Sequence, residues 1–149
     1  MAPVTPSKRC AEFIKGYEKC RLRAYMPTPD DVPTIGWGST GPDIKLGMTW
    51  TQEQADARFT IDLARFARAV DVAVTHPANQ AQFDAMTSLA YNIGKTAFVN
   101  STLLRKHNQG DHDGAAEQFG KWVKQKGKTL RGLVKRREAE AAIYRGETA

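Results

Sequence analysis

The 149-residue sequence has little of what defines several large protein classes. It holds two cysteines, Cys10 and Cys20, too few for a secreted disulfide scaffold. If both lie along one helical segment, their separation of about 15 Å forbids a bridge, so both read as free thiols. No apolar run reaches the length of a signal-peptide core or a membrane anchor, which predicts a chain made and left in the cytoplasm. Internal repeats, low-complexity tracts and long linkers are missing too, which excludes solenoids and disordered arrays. The histidines His76, His107 and His112 are scattered with no metal-ligand spacing. No metal and no other cofactor is therefore expected.

What is present suits one enzyme-sized unit. A hydrophobic content of 41% over residues 1–149 is enough for a core, and the length predicts a single domain or two small lobes sharing a connecting helix. The formal net charge of +6 favours polyanionic partners: nucleic acid, an anionic membrane surface or a bacterial cell wall. Charge alone does not choose among them.

The densest information lies in residues 18–40, EKCRLRAYMPTPDDVPTIGWGST. Leu22, Ala24 and Met26 alternate with Arg21, Arg23 and Tyr25, the period of a half-buried strand. Pro27, Pro29, Asp30 and Asp31 supply a turn, and Thr34, Ile35 and Trp37 make the return strand. Gly36 and Gly38 let the backbone come close to a second strand or a ligand. Glu18 precedes this hairpin where a helix should end. A carboxyl group at a helix C-terminus meets the negative end of the dipole, which favours its protonated form and makes this position a general-acid candidate.

Periodicity and capping predict the rest. Thr5 with Pro6 starts a first helix whose face carries Cys10, Phe13 or Ile14, and Tyr17. Thr51 with Gln54 forms a capping box for a long helix with a stripe of Ala55, Phe59, Leu63, Phe66 and Val70, while Arg58, Asp62, Arg65 and Arg68 take other faces. A second box, Asn79 with Gln82, precedes Phe83, Met86, Ala90 and Ile93, and Gly94 stops that helix. Ser101 caps TLLRKHNQ, Asp111 or Asp113 starts a helix through Ala116, Phe119 and Val123, and KQKGKT reads as a basic loop. Leu130 to Tyr144 form the last helix, with Arg137 inside its apolar stripe of Leu130, Leu133, Val134, Ala141 and Tyr144. A buried arginine requires an anionic partner. The sum is α+β: a hairpin lobe near residues 18–50, a helical lobe of 1–17 and 72–149, and a connecting helix of 51–71, with a cleft at the seam.

The order of Glu18, Leu22, Tyr25, a turn and TIGWGST resembles the phage lysozymes of glycoside hydrolase family 24. AYNIGKTAF, then STLLRKHNQGD, then GLVKRREAE resemble further signature blocks of lambdoid endolysins in the same order. This resemblance implies a lysozyme-like fold and hydrolysis of the β-1,4 bond between N-acetylmuramic acid and N-acetylglucosamine in peptidoglycan. It implies Glu18 as general acid and Thr34 as the hydroxyl that positions the attacking water. The family's aspartate should stand two residues after the tyrosine, but that position is Pro27, and the turn is one residue longer. Asp30 and Asp31 are the carboxylates within reach, and Asp30 is assigned to the cleft. An inverting reaction implies carboxyl groups about 6.5 to 9.5 Å apart. Tyr91 and Asn92 match an aromatic and an amide at the cleft floor, where the amide can bond an N-acetyl group. Arg137, or its neighbour Arg136, is expected to brace Glu18. Ser39 stands where many relatives carry a histidine.

The implied partner is peptidoglycan, with no nucleic acid, and with membrane contact a minor alternative because Glu138 and Glu140 dilute the charge of the last helix. A monomer is expected, held in the host cytoplasm and dependent on a holin for release to the periplasm and wall. Two rivals remain at this point. A lytic transglycosylase acts on the same bond without water. A non-catalytic basic module would use KQKGK and KRR, but no recognition helix or stacking aromatic accompanies them.

Overall fold

The computed structural model describes residues 5–147. Helix α1 (Lys8–Glu18) begins at Ser7, whose hydroxyl accepts from the Cys10 amide. The expected cap, Thr5, lies outside the helix. Ser7 displaces it because both its amide and its hydroxyl bond the carboxylate of Asp84, a long-range tie that no local pattern carries. Cys10 is buried with its thiol near the Asp84 carbonyl, while half-buried Cys20 falls beyond the helix end; both thiols are free.

Strands β1 (Arg21–Tyr25) and β2 (Thr34–Gly36) pair antiparallel, Arg21 opposite Gly36 and Tyr25 opposite Thr34, with a bulge between. A third edge forms where the Ala24 amide donates to Met48 and the Trp50 amide donates to Leu22. Of the alternating apolar residues only Ala24 is buried in strand β1; it joins Ile35 and Ile44 in a small core covered by Met48 and Trp50. Gly36 has φ +65°, and a Cβ there would stand 3.0 Å from the Trp50 ring.

Helix α2 (Gln52–Ala73) opens with the expected capping box of Thr51 and Gln54. Its first half packs Ala55 and Phe59 toward the hairpin, and Val70 at its far end enters the large core. One position departs from expectation: Asp62 is buried rather than outward, because it lies three residues after Phe59 on the inward stripe.

Helix α3 (Gln80–Ile93), with its Asn79–Gln82 box, is the centre of the large lobe: every residue from 82 to 91 is buried. Gly94 ends it at φ +93°. A short helix α4 (Lys95–Val99), not anticipated from sequence, leads to α5 (Thr102–Asn108), capped by Ser101, and α6 (His112–Gln118), capped by Asp111. The basic segment is not a loop. After a 3-10 turn at Phe119–Lys121, β3 (Lys124–Gln125) and β4 (Lys128–Thr129) pair as a second small hairpin. Two-residue strands are too short to show a period, which is why the pattern hid them. Helix α7 (Arg131–Arg145) then packs against α3.

Phe83, Met86, Leu89, Phe98, Leu103 and Phe119 fill the large core. The three histidines, scattered in sequence, meet in this lobe with ring centroids 5.3 to 5.8 Å apart. His107 is fully buried; one ring nitrogen bonds the Tyr144 hydroxyl at 2.6 Å and the other the His76 carbonyl at 3.1 Å. Burial pushes its pKa below the usual histidine value. Among the described residues no helix is long and apolar enough to cross a membrane.

Candidate active site

Glu18 is the last residue of α1, and the chain turns sharply at Lys19, φ +54°. Its side chain is 17% exposed and faces a cleft of about 530 Å³ between the lobes. The cleft is lined by Tyr25, Asp31 and Thr34 from the hairpin side and by Asn92, Trp122 and Lys124 from the helical side. Gly38, φ +88°, lies directly over the acid: a Cβ there would stand 2.6 Å from Glu18 Oε1. A side chain at position 38 would displace the carboxylate, so the close approach read from IGWG is to Glu18 itself.

Behind Glu18 lies a buried ionic cluster. Arg136 Nη1 donates to Glu18 Oε2 at 2.6 Å, and Arg136 Nε donates to Glu140 Oε2 at 3.2 Å. The same guanidinium donates to the Ser88 carbonyl and lies over the Tyr17 ring. Arg137 does not reach Glu18. It pairs with Glu140 through contacts of 2.7 and 3.0 Å and points toward the Trp122 carbonyl. Consecutive helical residues differ by about 100° in direction, so of two adjacent arginines only one can face α1. Ser88 completes the cluster by donating its hydroxyl to Glu140 Oε2 at 2.5 Å. Complete burial pushes the Glu140 carboxyl up, against the two guanidiniums that hold it down.

The turn places its two aspartates differently. The Asp31 amide donates to the Thr28 carbonyl at 3.1 Å, closing a four-residue turn with Pro29 and Asp30 at its corner. Asp30 therefore points outward, 84% exposed, and pairs across the cleft mouth with Lys126 of the β3–β4 turn at 3.0 Å. Asp31 is the carboxylate brought to the cleft, and the expectation that Asp30 enters it is corrected on that geometry. Thr34 is buried at the cleft wall and donates to the Val32 carbonyl at 3.0 Å, leaving its oxygen lone pairs available to accept.

Asn92 is exposed and lines the cleft, as expected, but Tyr91 does not. Its hydroxyl donates to the Trp37 carbonyl at 2.6 Å and its ring packs on Phe59 and Phe66. Tyr91 thus ties the hairpin to α3 from within the core. Burial pushes its phenol pKa up. A second tie went unread in the sequence: Ser39 donates to buried Asp62 at 2.7 Å, Asp62 accepts from Arg58 Nε at 3.1 Å, and Arg58 pairs with Asp43 at 2.8 Å. The signal was present in the position of Asp62 on the apolar stripe. Among the described residues no group of three or more His, Cys, Asp or Glu side chains stands where it could hold a metal ion.

A small β lobe and a larger helical lobe meeting at an acid-bearing cleft define a lysozyme-type glycoside hydrolase. Residues 15–140 match the model of the family described as phage lysozyme, and the chain belongs to that family. It is 43% identical over 142 residues to an endolysin of Acyrthosiphon pisum secondary endosymbiont phage 1, covering 93% of this chain and 96% of that one. It is 39% identical to an endolysin of Bacillus phage B103, where it spans 89% of its own length but 51% of that protein. Among solved structures, an endolysin from Escherichia coli O157:H7 phage FAHEc1 superposes with a TM-score of 0.80 at 40% identity, covering 93% of this chain and 91% of that one. The muramidase domain of SpmX from Asticaccaulis excentricus superposes at 0.84 with 34% identity, covering 97% and 98%.

Proposed function

We propose that the chain cleaves the β-1,4 bond between N-acetylmuramic acid and N-acetylglucosamine, with Glu18 donating the proton to the leaving oxygen. As a member of its family it is a peptidoglycan-hydrolysing endolysin acting in host lysis. The observation that carries the proposal is the setting of Glu18, at a helix end, open to the cleft, under Gly38 and fixed by Arg136. On the opposite wall, Thr34 and Asp31 are the groups proposed to orient the attacking water, and Asn92 to bond an N-acetyl group of the substrate. The reading of Asp31 is supported by its place on the cleft wall; Asp30 is engaged with Lys126 instead. Water attack on the face opposite the acid would invert the anomeric centre. The chain is proposed to act as a monomer, released from the host cytoplasm by a separate holin-type pore, with its charge of +6 favouring the anionic wall.

Turbidity loss of outer-membrane-stripped Gram-negative cells tests the reading. Glu18→Gln is expected to lower the rate by at least about two orders of magnitude, Asp31→Asn and Thr34→Ala by less, and Asp30→Asn hardly at all. Full activity in Glu18→Gln would end it. Mass spectrometry of the digested wall separates the transglycosylase alternative: anhydro ends on the muropeptides would replace hydrolysis by ring closure.

A further inference from the structure

Glu140 is a fully buried carboxylate that the cleavage step does not use. It lies directly behind the arginine that holds Glu18. Arg136 joins the two acids through different nitrogens, Nη1 to Glu18 and Nε to Glu140. We infer that Glu140 is a positioning residue for the proton donor: by dividing the Arg136 guanidinium between two carboxylates, it keeps Glu18 fixed in place yet able to carry a proton. The inference rests on the reading of Glu18 as that donor.

The reasoning is one of local charge. An arginine 2.6 Å from an acid orients it well, but an unshared guanidinium strongly favours the ionised form, which cannot protonate a leaving group. Glu18, Arg136, Glu140 and Arg137 together balance two negative against two positive charges. Remove the charge of Glu140 and two guanidiniums stand behind one carboxylate. The arrangement is rigid, since Arg136 and Arg137 reach Glu140 at i,i+4 and i,i+3 spacing on one helix, and Ser88 of α3 fixes the shared oxygen.

Other groups are too few or too neutral to take over this balance. Facing Glu140 from α1 is Cys10, whose thiol is pushed far toward the neutral form by burial and by the nearby Asp84 carboxylate; Asp84, one turn before Ser88 on α3, is itself engaged by Ser7 and Gln80. Facing Glu18 are the phenols of Tyr25 on β1 and Tyr91 on α3, both raised by burial, with Asp31 and Lys124 across the open cleft.

The test is the pH dependence of kcat/KM on purified peptidoglycan, whose alkaline limb reports loss of the proton from the donor in the free enzyme. In Glu140→Gln this limb is expected to move down by about one pH unit, costing about tenfold in rate above it. Glu140→Asp keeps the charge, and its limb should stay with the wild type even if its melting temperature falls. A purely structural Glu140 would predict lower stability for both variants and the wild-type limb for both, and that result overturns the inference. So does an equal shift in Glu140→Asp. Glu140→Gln leaves Arg137 buried without its carboxylate, so should it not fold, the double variant Glu140→Gln, Arg137→Met removes that burden. Its limb is still expected to fall, by less, because Glu140 stands one guanidinium away from Glu18 and Arg137 lies beyond it; an unmoved limb overturns the inference here also. Glu18→Gln is assayed alongside: activity in that variant defeats the reading of the cleft, whereas its inactivity with unmoved limbs defeats the role of Glu140 alone.

Discussion

Two of the polar networks that cross between elements differ in depth and in purpose. One runs from Glu18 through Arg136 and Glu140 to Arg137, all but Glu18 essentially sealed from solvent. The other runs from Ser39 through Asp62 and Arg58 to Asp43, buried at its centre and open at its end. The first joins α1, α3 and α7 beneath Glu18, the proposed proton donor; the second holds the hairpin lobe on α2. Both fix the cleft geometry, but only the first places charge beside the acid. The difference implies that damage to the first should alter the chemistry and the fold together, and damage to the second mainly the fold.

The largest effect is expected from Arg136→Met. It strands Glu18 and leaves Glu140 with one cation, so unfolding free energy measured in denaturant should fall by about 3 kcal/mol or more, with a displaced pH–rate profile in the folded fraction. A stable variant with an unchanged profile would dissolve the contrast. Asp62→Asn should cost less, about 1 to 2 kcal/mol from weakened bonds to Ser39 and Arg58, and its pH–rate profile should keep the wild-type shape; a moved limb would mean that the second network also reaches the acid.

The smallest effect comes from a site outside both networks. His107 has its pKa lowered by burial, so below the unfolded value of 6.5 the unfolded chain binds more protons than the folded one. Stability is then complete above about pH 6.5 and declines as pH falls below it toward the folded pKa. Melting temperatures between pH 7.5 and 5.5 should show this decline, and His107→Asn should flatten it. A decline that persists unchanged would assign it to the carboxylate networks instead.

How legible these features were in the sequence follows from the range of the forces that set them. Thr51 with Gln54 and Asn79 with Gln82 were readable because a capping box closes within four residues. Glu18, Thr34 and Asn92 were placed at the cleft through the order of motifs, and the structure brings all three there. Around the cleft, what the sequence leaves open is direction. Arg136 rather than Arg137 faces Glu18 because the roll of α7 is set by packing on α3. Asp31 rather than Asp30 reaches the cleft because one amide-to-carbonyl bond from Asp31 to Thr28 decides which corner turns outward. For Tyr91 the family position and core packing are both compatible with the sequence, and the structure commits its hydroxyl to the Trp37 carbonyl. Asp62 carries the charge of a solvated residue, but its position on the inward stripe buries it against Ser39.

The two thiols have a practical consequence. Burial against the Asp84 carbonyl keeps Cys10 protonated and shielded, while Cys20 lies half-exposed between α1 and β1, next to the Gln52 amide at the start of α2. Thiolate-selective reagents such as maleimides should therefore modify the native protein at one position without any cysteine being removed. A fluorophore or spin label attached there would sit at the junction of three elements and report on its surroundings with and without added glycan.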